Sequence, residues 1–390
     1  MSTDTHPEVV LDVRGLSTRF ATDTGEVPAV NGVDLQLRHG RTLCVVGESG
    51  CGKSVTARSV LQLVEPPGRI TEGRVLLHPP PEPDSTGATT QPPVDLAALG
   101  PTSRGIRAVR GDEIAMIFQE PMSSLSLVHR VGNQIGEAIR VHERVSRAEA
   151  RERSIDLLTR VGIPNPERMV DVYPFQLSGG MRQRVMIAMA LSCAPRLLIA
   201  DEPTTALDVT TQAQILDLLA DLQHQRGMAM LFITHDMGVV AEIADEVAVM
   251  YLGRVVERGG VDEVFHDPQH PYTRALLESI PRMGGPRQSR LPAIRGSVPD
   301  PATRPSGCVF RNRCDSAIPG LCDAIDPPEV VLDSGRRVRC LLHGGVEPPS
   351  ETTSGTSGQL AGRVPDTGIA PPAADGHTPS RSESPNARRD

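Results

Sequence analysis

The sequence predicts an α/β fold: a mainly parallel sheet with an antiparallel β edge, a helical subdomain and a small irregular Cys-rich segment near the C-terminus. Three observations predict it. Short continuous apolar runs at Thr42–Val46, Ile114–Ile117, Leu197–Ala200 and Met228–Ile233 are separated by stretches of helical period, the order of parallel strands covered on both faces. A glycine-rich turn joins the first run to a helical stretch. Past Ser279 the periodicity stops, and four of the seven Cys follow.

The elements follow in order. Val9–Val13 and Val33–Leu37 read as strands before Thr42–Val46. A helix is expected over about Lys53–Leu63, and a short strand over Arg74–Leu77. From 79 to 105 the chain is rich in Pro, Gly, Ser and Thr. Prolines remove backbone donors and restrict their neighbours, so this insertion reads as a surface loop. Strand Ile114–Ile117 restarts the core. Helical patterns at Val131–Arg144, Arg147–Val161 and Gly179–Leu191 give a helical subdomain over about residues 120–185. A helix over Thr210–Arg226 links the last two apolar runs, and Glu246–Tyr251 and Arg254–Arg258 read as closing strands. The boundaries that result are 1–265 for the first domain, 266–345 for the Cys-bearing segment and 346–390 for a tail. That tail has no aromatic and little Val, Ile, Leu or Met. It cannot bury enough surface to offset its ordering entropy, so disorder is expected.

Composition excludes several classes. The net charge of −8 lacks the basic excess of a nucleic-acid footprint. No apolar run approaches the roughly 18 residues of a membrane helix. The opening Met1-Ser-Thr-Asp-Thr-His-Pro-Glu8 lacks the basic and apolar regions of a signal peptide. A cytoplasmic location follows as an expectation, unless a partner holds the chain at a membrane. Of 40 basic residues only Lys53 is a lysine, the rest being arginine.

That lysine lies in Gly47-Glu48-Ser49-Gly50-Cys51-Gly52-Lys53-Ser54, followed by Val55, the G-x-x-x-x-G-K-[ST] pattern of a P-loop NTPase. The glycines let backbone N–H groups turn inward around phosphate oxygens, and the following helix N-terminus adds partial positive charge. Lys53 supplies a compact charge for the β and γ phosphates, where a planar guanidinium would be a different shape. Ser54 offers its hydroxyl to Mg²⁺. Leu197-Leu-Ile-Ala-Asp-Glu202 is a buried strand ending in two carboxylates. Asp201 is placed to hold the Mg²⁺ shell, and Glu202 to orient and deprotonate the attacking water.

Between these motifs stands Leu177-Ser-Gly-Gly-Met-Arg-Gln-Arg184. It resembles the signature sequence of ABC-transporter ATPases. Ser178, Gly179 and Gly180 open a helix, which makes a second anion site. The resemblance implies that this element closes on the γ-phosphate held by another subunit, so the site forms only in a head-to-tail dimer. It also implies a Q-loop role for Gln119, at Mg²⁺ and the membrane partner. Asp208, in Ala206-Leu-Asp208, matches the D-loop. His235, after the strand ending at Ile233, matches the switch histidine facing the γ-phosphate. Phe20, 27 residues before Gly47, matches an aromatic that stacks on adenine.

A subfamily is suggested by Gln119-Glu-Pro-Met-Ser-Ser-Leu125, by Tyr173-Pro-Phe-Gln176 leading into the signature, and by His270-Pro-Tyr-Thr-Arg-Ala-Leu-Leu277. These resemble the ATP-binding subunits of dipeptide, oligopeptide and nickel permeases. The resemblance runs from about residue 8 to 344; Ser126-Leu127 replaces a common Asn-Pro, and the 79–105 insertion is longer than usual. It implies an ATP-hydrolysing importer subunit at the cytoplasmic face of the inner membrane. Its partners would be two membrane-spanning permease subunits, a second ATPase chain (self or paralogue) and an extracytoplasmic solute-binding protein, with no nucleic acid. The competing class, an ABC ATPase acting on nucleic acid or ribosomes, usually adds a long coiled coil or a second cassette. This chain shows neither sustained heptads nor a basic arm.

Cys308, Cys314, Cys322 and Cys340 are separated by five, seven and seventeen residues. Their number and spacing leave a [4Fe–4S] cluster, zinc and free thiols open, although zinc usually shows tighter pairs. The permease-subunit resemblance implies the [4Fe–4S] cluster.

Overall fold

The computed structural model describes residues 8–23, 25–80, 91–119, 124–205, 207–280 and 294–343. The tail 346–390, Glu120-Pro-Met122, Ala206 and the middle of the 79–105 insertion lie outside the described residues.

Two sheets stack. The smaller is antiparallel and contains β1 (Val9–Thr22), β2 (Gly25–Arg38), β4 (Gly68–Leu77) and β5 (Val94–Asp95), in the order β2-β1-β4-β5. Between β2 and β4 the chain forms β3 (Thr42–Val46) and helix α1 (Lys53–Val60). After β5 come α2 (Arg104–Val109) and β6 (Ile114–Ile117). The helical subdomain holds α3 (Val131–His142), α4 (Arg147–Arg160), the single turn α5 (Pro166–Met169) and α6 (Gly179–Ala190). Then follow β7 (Leu197–Asp201), α7 (Val209–Arg226), β8 (Ala229–Ile233), α8 (Met237–Ile243), β9 (Glu246–Tyr251) and β10 (Arg254–Gly260).

The larger sheet runs β11 (Val330–Val331), β12 (Arg337–Val338), β10, β9, β3, β8, β7 and β6. Its β9-β3-β8-β7-β6 half is parallel. The other half is antiparallel and includes two short strands from the C-terminal segment, β11 and β12. The first domain and the Cys-bearing segment therefore share one sheet.

Strand periodicity divides the core into two layers. Along β3, Cys44 and Val46 face one layer while Leu43 and Val45 face the other. The same alternation sends Leu198 and Ala200 to the first layer and Leu197 and Ile199 to the second. The first layer packs on α3, α4, α6, α7 and the C-terminal segment; the second packs on α1 and the antiparallel sheet. All five residues of β3, β7 and β8 are buried, which is why each reads as an unbroken apolar run.

The 79–105 stretch needs correction. Its described part is not only surface loop: Val94–Asp95 pairs with β4, and Leu96 is fully buried in the second core layer. Asp95 caps the following turn by accepting from Ala97 N, so a polar residue and one leucine fasten the end of the insertion.

After β10 come α9 (Val261–His266) and α10 (Pro271–Glu278). The start of α10 is set by buried polar groups. Glu257 accepts from the backbone N–H of Gln269 and of His270, at 2.8 and 2.9 Å. His270 Nδ1 then accepts from Tyr272 N at 3.0 Å. Burial lowers the His270 pKa to about 3, with His343 nearby adding to the shift, so the imidazole is a neutral acceptor.

Candidate nucleotide site

The site grows from the turn after β3. Gly47 has φ 149° and Gly52 has φ 99°. A Cβ at Gly47 would collide with the Met250 carbonyl, and one at Gly52 with the Ala29 carbonyl. Both glycines are thus required by close backbone approach as well as by dihedral angle. Gly52 caps α1 with no side-chain hydrogen bond, whereas α2, α4 and α7 are capped by Ser103, Ser146 and Asp208. The first-turn N–H groups of α1 are left for an anion. Val55 follows on α1 and packs partly buried against the second core layer.

Lys53 is 5% exposed and folds over the loop. Its Nζ donates to Gly47 O at 2.8 Å and Glu48 O at 3.2 Å, and lies 3.8 Å from Cys51 Sγ. Burial raises the Cys51 pKa, with Lys53 opposing, so Cys51 is a neutral thiol that fills space beneath the loop. Ser49 and Gly50 form the exposed crest.

The two carboxylates at the end of β7 have different surroundings. Asp201 is 1% exposed. Its Oδ1 accepts from Ser54 Oγ at 2.9 Å, while Oδ2 is buried with no partner. Burial raises its pKa, against the Ser54 hydrogen bond. A buried carboxylate oxygen left open beside a hydroxyl is the expected half of a Mg²⁺ shell. Ser54 and Asp201 fit that cation, which would neutralise polyphosphate charge when bound with nucleotide.

Glu202 takes a left-handed backbone conformation, φ 47°, rare for a residue of this type. Its N–H is fixed to Ile233 O at 2.9 Å. One carboxylate oxygen accepts from Thr205 Oγ1 at 2.9 Å and from Gln119 Nε2 at 3.2 Å. The other lies 3.4 Å from His235 Nδ1. Gln119, Glu202 and His235 thus converge from the ends of β6, β7 and β8. Thr205 belongs to this group and was not foreseen; no motif position singles it out.

Other expected residues stand apart within the single chain. Ser178 caps α6 by accepting from Met181 N at 3.3 Å, with Gly179 and Gly180 in its first turn. Asp208 caps α7, accepting from Thr211 N and Oγ1 at 3.0 and 2.7 Å, and these bonds lower its pKa. Neither has a hydrogen bond to the phosphate loop. Phe20 pairs in register with Gly68 of β4, and a Cβ at Gly68 would press on its ring. The missing side chain at 68 makes room for the partly exposed Phe20.

Cys308, Cys322 and Cys340 are buried and Cys314 is partly so. Burial pushes the Cys308 thiol up to about 11, and the other three cysteines each add to the rise. Cys308 N donates to Cys322 O at 2.9 Å, which joins those two segments. No group of three or more His, Cys, Asp or Glu with metal-holding arrangement occurs among the described residues. The donor set suits a metal in kind and number; its spacing is not that of a closed metal site.

A phosphate loop and two strand-end carboxylates brought together at the ends of parallel strands define the class as a P-loop ATPase. The chain belongs to the ABC-transporter family, as an ATP-binding subunit of the peptide-import type. The family described as ABC transporter matches residues 30–205, and the C-terminal region described for oligopeptide and dipeptide transporters matches 256–322. A peptide import ATP-binding protein of Brucella melitensis is 51% identical over 338 residues, 85% of this chain and 96% of the relative. The oligopeptide transport ATP-binding protein OppD of Bacillus subtilis is 46% identical over 344 residues, 87% and 92% of the two chains. The dimeric ABC transporter cassette MJ0796 superposes with TM-score 0.55 at 25% identity, over 64% of this chain and 98% of that one; it is also solved after hydrolysis with ADP and Pi.

Proposed function

We propose that this chain couples ATP hydrolysis to peptide import as one of two ATPase chains joined head to tail. The observation that carries the reading is the division of the site. Lys53, Ser54, Asp201, Gln119, Glu202 and His235 gather on one edge, while Ser178 and Asp208 cap helices without reaching them. A second ATPase chain, itself or a paralogue, supplies Ser178, Gly179, Gly180 and Asp208 to the nucleotide on Lys53. ATP enters with its phosphates on the loop and its adenine on Phe20. Glu202 orients and deprotonates the attacking water, His235 faces the γ-phosphate, and Gln119 links Glu202 to the helical subdomain. Closure and release then move the membrane subunits.

No helix among the described residues is long and apolar enough to cross a membrane, so other chains form the pore. The assembly is two membrane-spanning permease subunits, two ATPase chains and an extracytoplasmic solute-binding protein. This chain sits peripherally at the cytoplasmic face of the inner membrane. Affinity purification of the full chain in mild detergent tests this. Membrane-spanning subunits in the eluate support it; ribosomes or nucleic acid in their place contradict it.

We further propose that Cys308, Cys314, Cys322 and Cys340 hold a [4Fe–4S] cluster in a structural role. The support is four mostly buried thiols in a segment with little core of its own, two of them joined through the Cys308 N to Cys322 O bond. Anaerobically purified protein is then expected to contain iron and acid-labile sulfide and to show thiolate charge-transfer absorption. Iron-free, colourless protein contradicts it.

A further inference from the structure

The sequence gives Glu48 no role beyond filling the loop, and Arg313 no role at all. They lie 265 positions apart, yet meet directly. Arg313 Nη1 donates to Glu48 Oε2 at 2.6 Å and Nη2 to Glu48 Oε1 at 2.9 Å. This is a two-pronged, charge-assisted pair. The Arg313 side chain is 4% exposed. It is held from its own side as well: Nε donates to Arg295 O at 2.8 Å, and the guanidinium lies 5.8 Å from the Tyr251 ring centroid. The Glu48 backbone is gripped too, its N–H donating to Tyr272 Oη at 2.9 Å.

Behind this grip lies an aromatic cluster. Tyr251, Tyr272 and Phe310 have ring centroids 4.8 to 5.3 Å apart. The protein has only three Tyr and six Phe, so a third of its aromatic side chains stand behind the phosphate loop. Tyr251 belongs to β9, Tyr272 to α10 and Phe310 to the C-terminal segment. Such clusters make stiff, well-packed supports.

We propose that Arg313 is a positioning residue for ATP binding: it anchors Glu48 so that the loop's N–H groups stay turned toward the phosphates. The proposal rests on the nucleotide reading of this loop and extends it. The preceding residue, Gly47, runs so close to Met250 O that a Cβ there would collide with it. The crest, Ser49 and Gly50, is exposed; behind it Cys51 N donates to Glu48 O at 3.3 Å and Cys51 O accepts from Gly253 N at 2.8 Å. Loss of the Arg313 pair leaves Glu48 held only through its backbone, by Tyr272 Oη and Lys53 Nζ, and frees the exposed crest beside it to leave its binding shape. Apparent affinity falls in proportion to the fraction of loops that remain competent. Docking of the C-terminal segment thereby sets nucleotide affinity, although that segment supplies no group to the phosphates.

The test uses the purified full chain and a fluorescent ATP analogue, with steady-state ATPase kinetics alongside. Arg313→Met is expected to weaken analogue binding about tenfold, a change of about 1.4 kcal/mol, with KM rising and kcat within about twofold. Arg313→Lys keeps the charge and loses the planar fork. A positioning role predicts that it too binds several-fold more weakly, and it carries the test if Arg313→Met does not fold. In a Glu48→Gln background, Arg313→Met is expected to add less than about twofold, since the pair is already broken. Wild-type affinity in Arg313→Lys, equal losses in both backgrounds, or a fall in kcat at unchanged affinity each overturn the proposal. Lys53→Ala is the control. If it binds the analogue normally, the nucleotide reading of the loop fails first; if it loses binding while both Arg313 variants keep theirs, only the anchoring role fails.

Discussion

Glu202→Gln is expected to bind ATP normally and to lose about 10²- to 10⁴-fold in hydrolysis, the usual span for removal of a general base. The substitution keeps shape and removes the proton acceptor. The surrounding geometry makes the effect specific. Thr205 and Gln119 hold one carboxylate oxygen, and His235 Nδ1 lies 3.4 Å from the other. A glutamine there keeps the contact with Thr205, so folding and nucleotide binding survive. Trapped ATP would then hold the two ATPase chains closed. Radiolabelled ATP turnover checks the rate, and light scattering checks the closed form. Turnover equal to wild type would remove Glu202 from the base role.

Lys53→Ala should lose most of its ATP affinity, by about 10- to 100-fold if one charge-assisted contact to phosphate contributes about 1.5–3 kcal/mol. A second effect adds to this. Lys53 Nζ bonds the Gly47 and Glu48 carbonyls, so alanine also removes a brace across the loop. Lys53→Arg is not expected to rescue, because the buried space under the loop suits a compact ammonium rather than a fork. Equilibrium binding of an ATP analogue measures both variants. Unchanged affinity in Lys53→Ala would contradict the assignment.

The parts of this site that were legible in the sequence share one property: their chemistry is local. The phosphate loop, the Asp201-Glu202 strand end and Ser178-Gly179-Gly180 each need a few adjacent residues in fixed order. The parallel strands were legible because each is buried on both faces. The antiparallel strands extend further than their apolar runs. β1 runs on to Thr22 and β4 begins at Gly68, but register shifts near Gly15 and partly exposed polar residues break the alternation there. Prolines hid Leu96, whose burial depends on core residues far away in sequence. Arg313 was invisible for the same reason. Nothing in Arg311-Asn-Arg-Cys314 marks one arginine as facing a carboxylate 265 positions earlier.

The measurement that tests the central claim most directly is uptake of a labelled peptide by cells carrying the complete assembly, with either the natural chain or Glu202→Gln in its place. The account predicts energy-dependent accumulation with the natural chain and background uptake with the variant. Equal accumulation in both would contradict it.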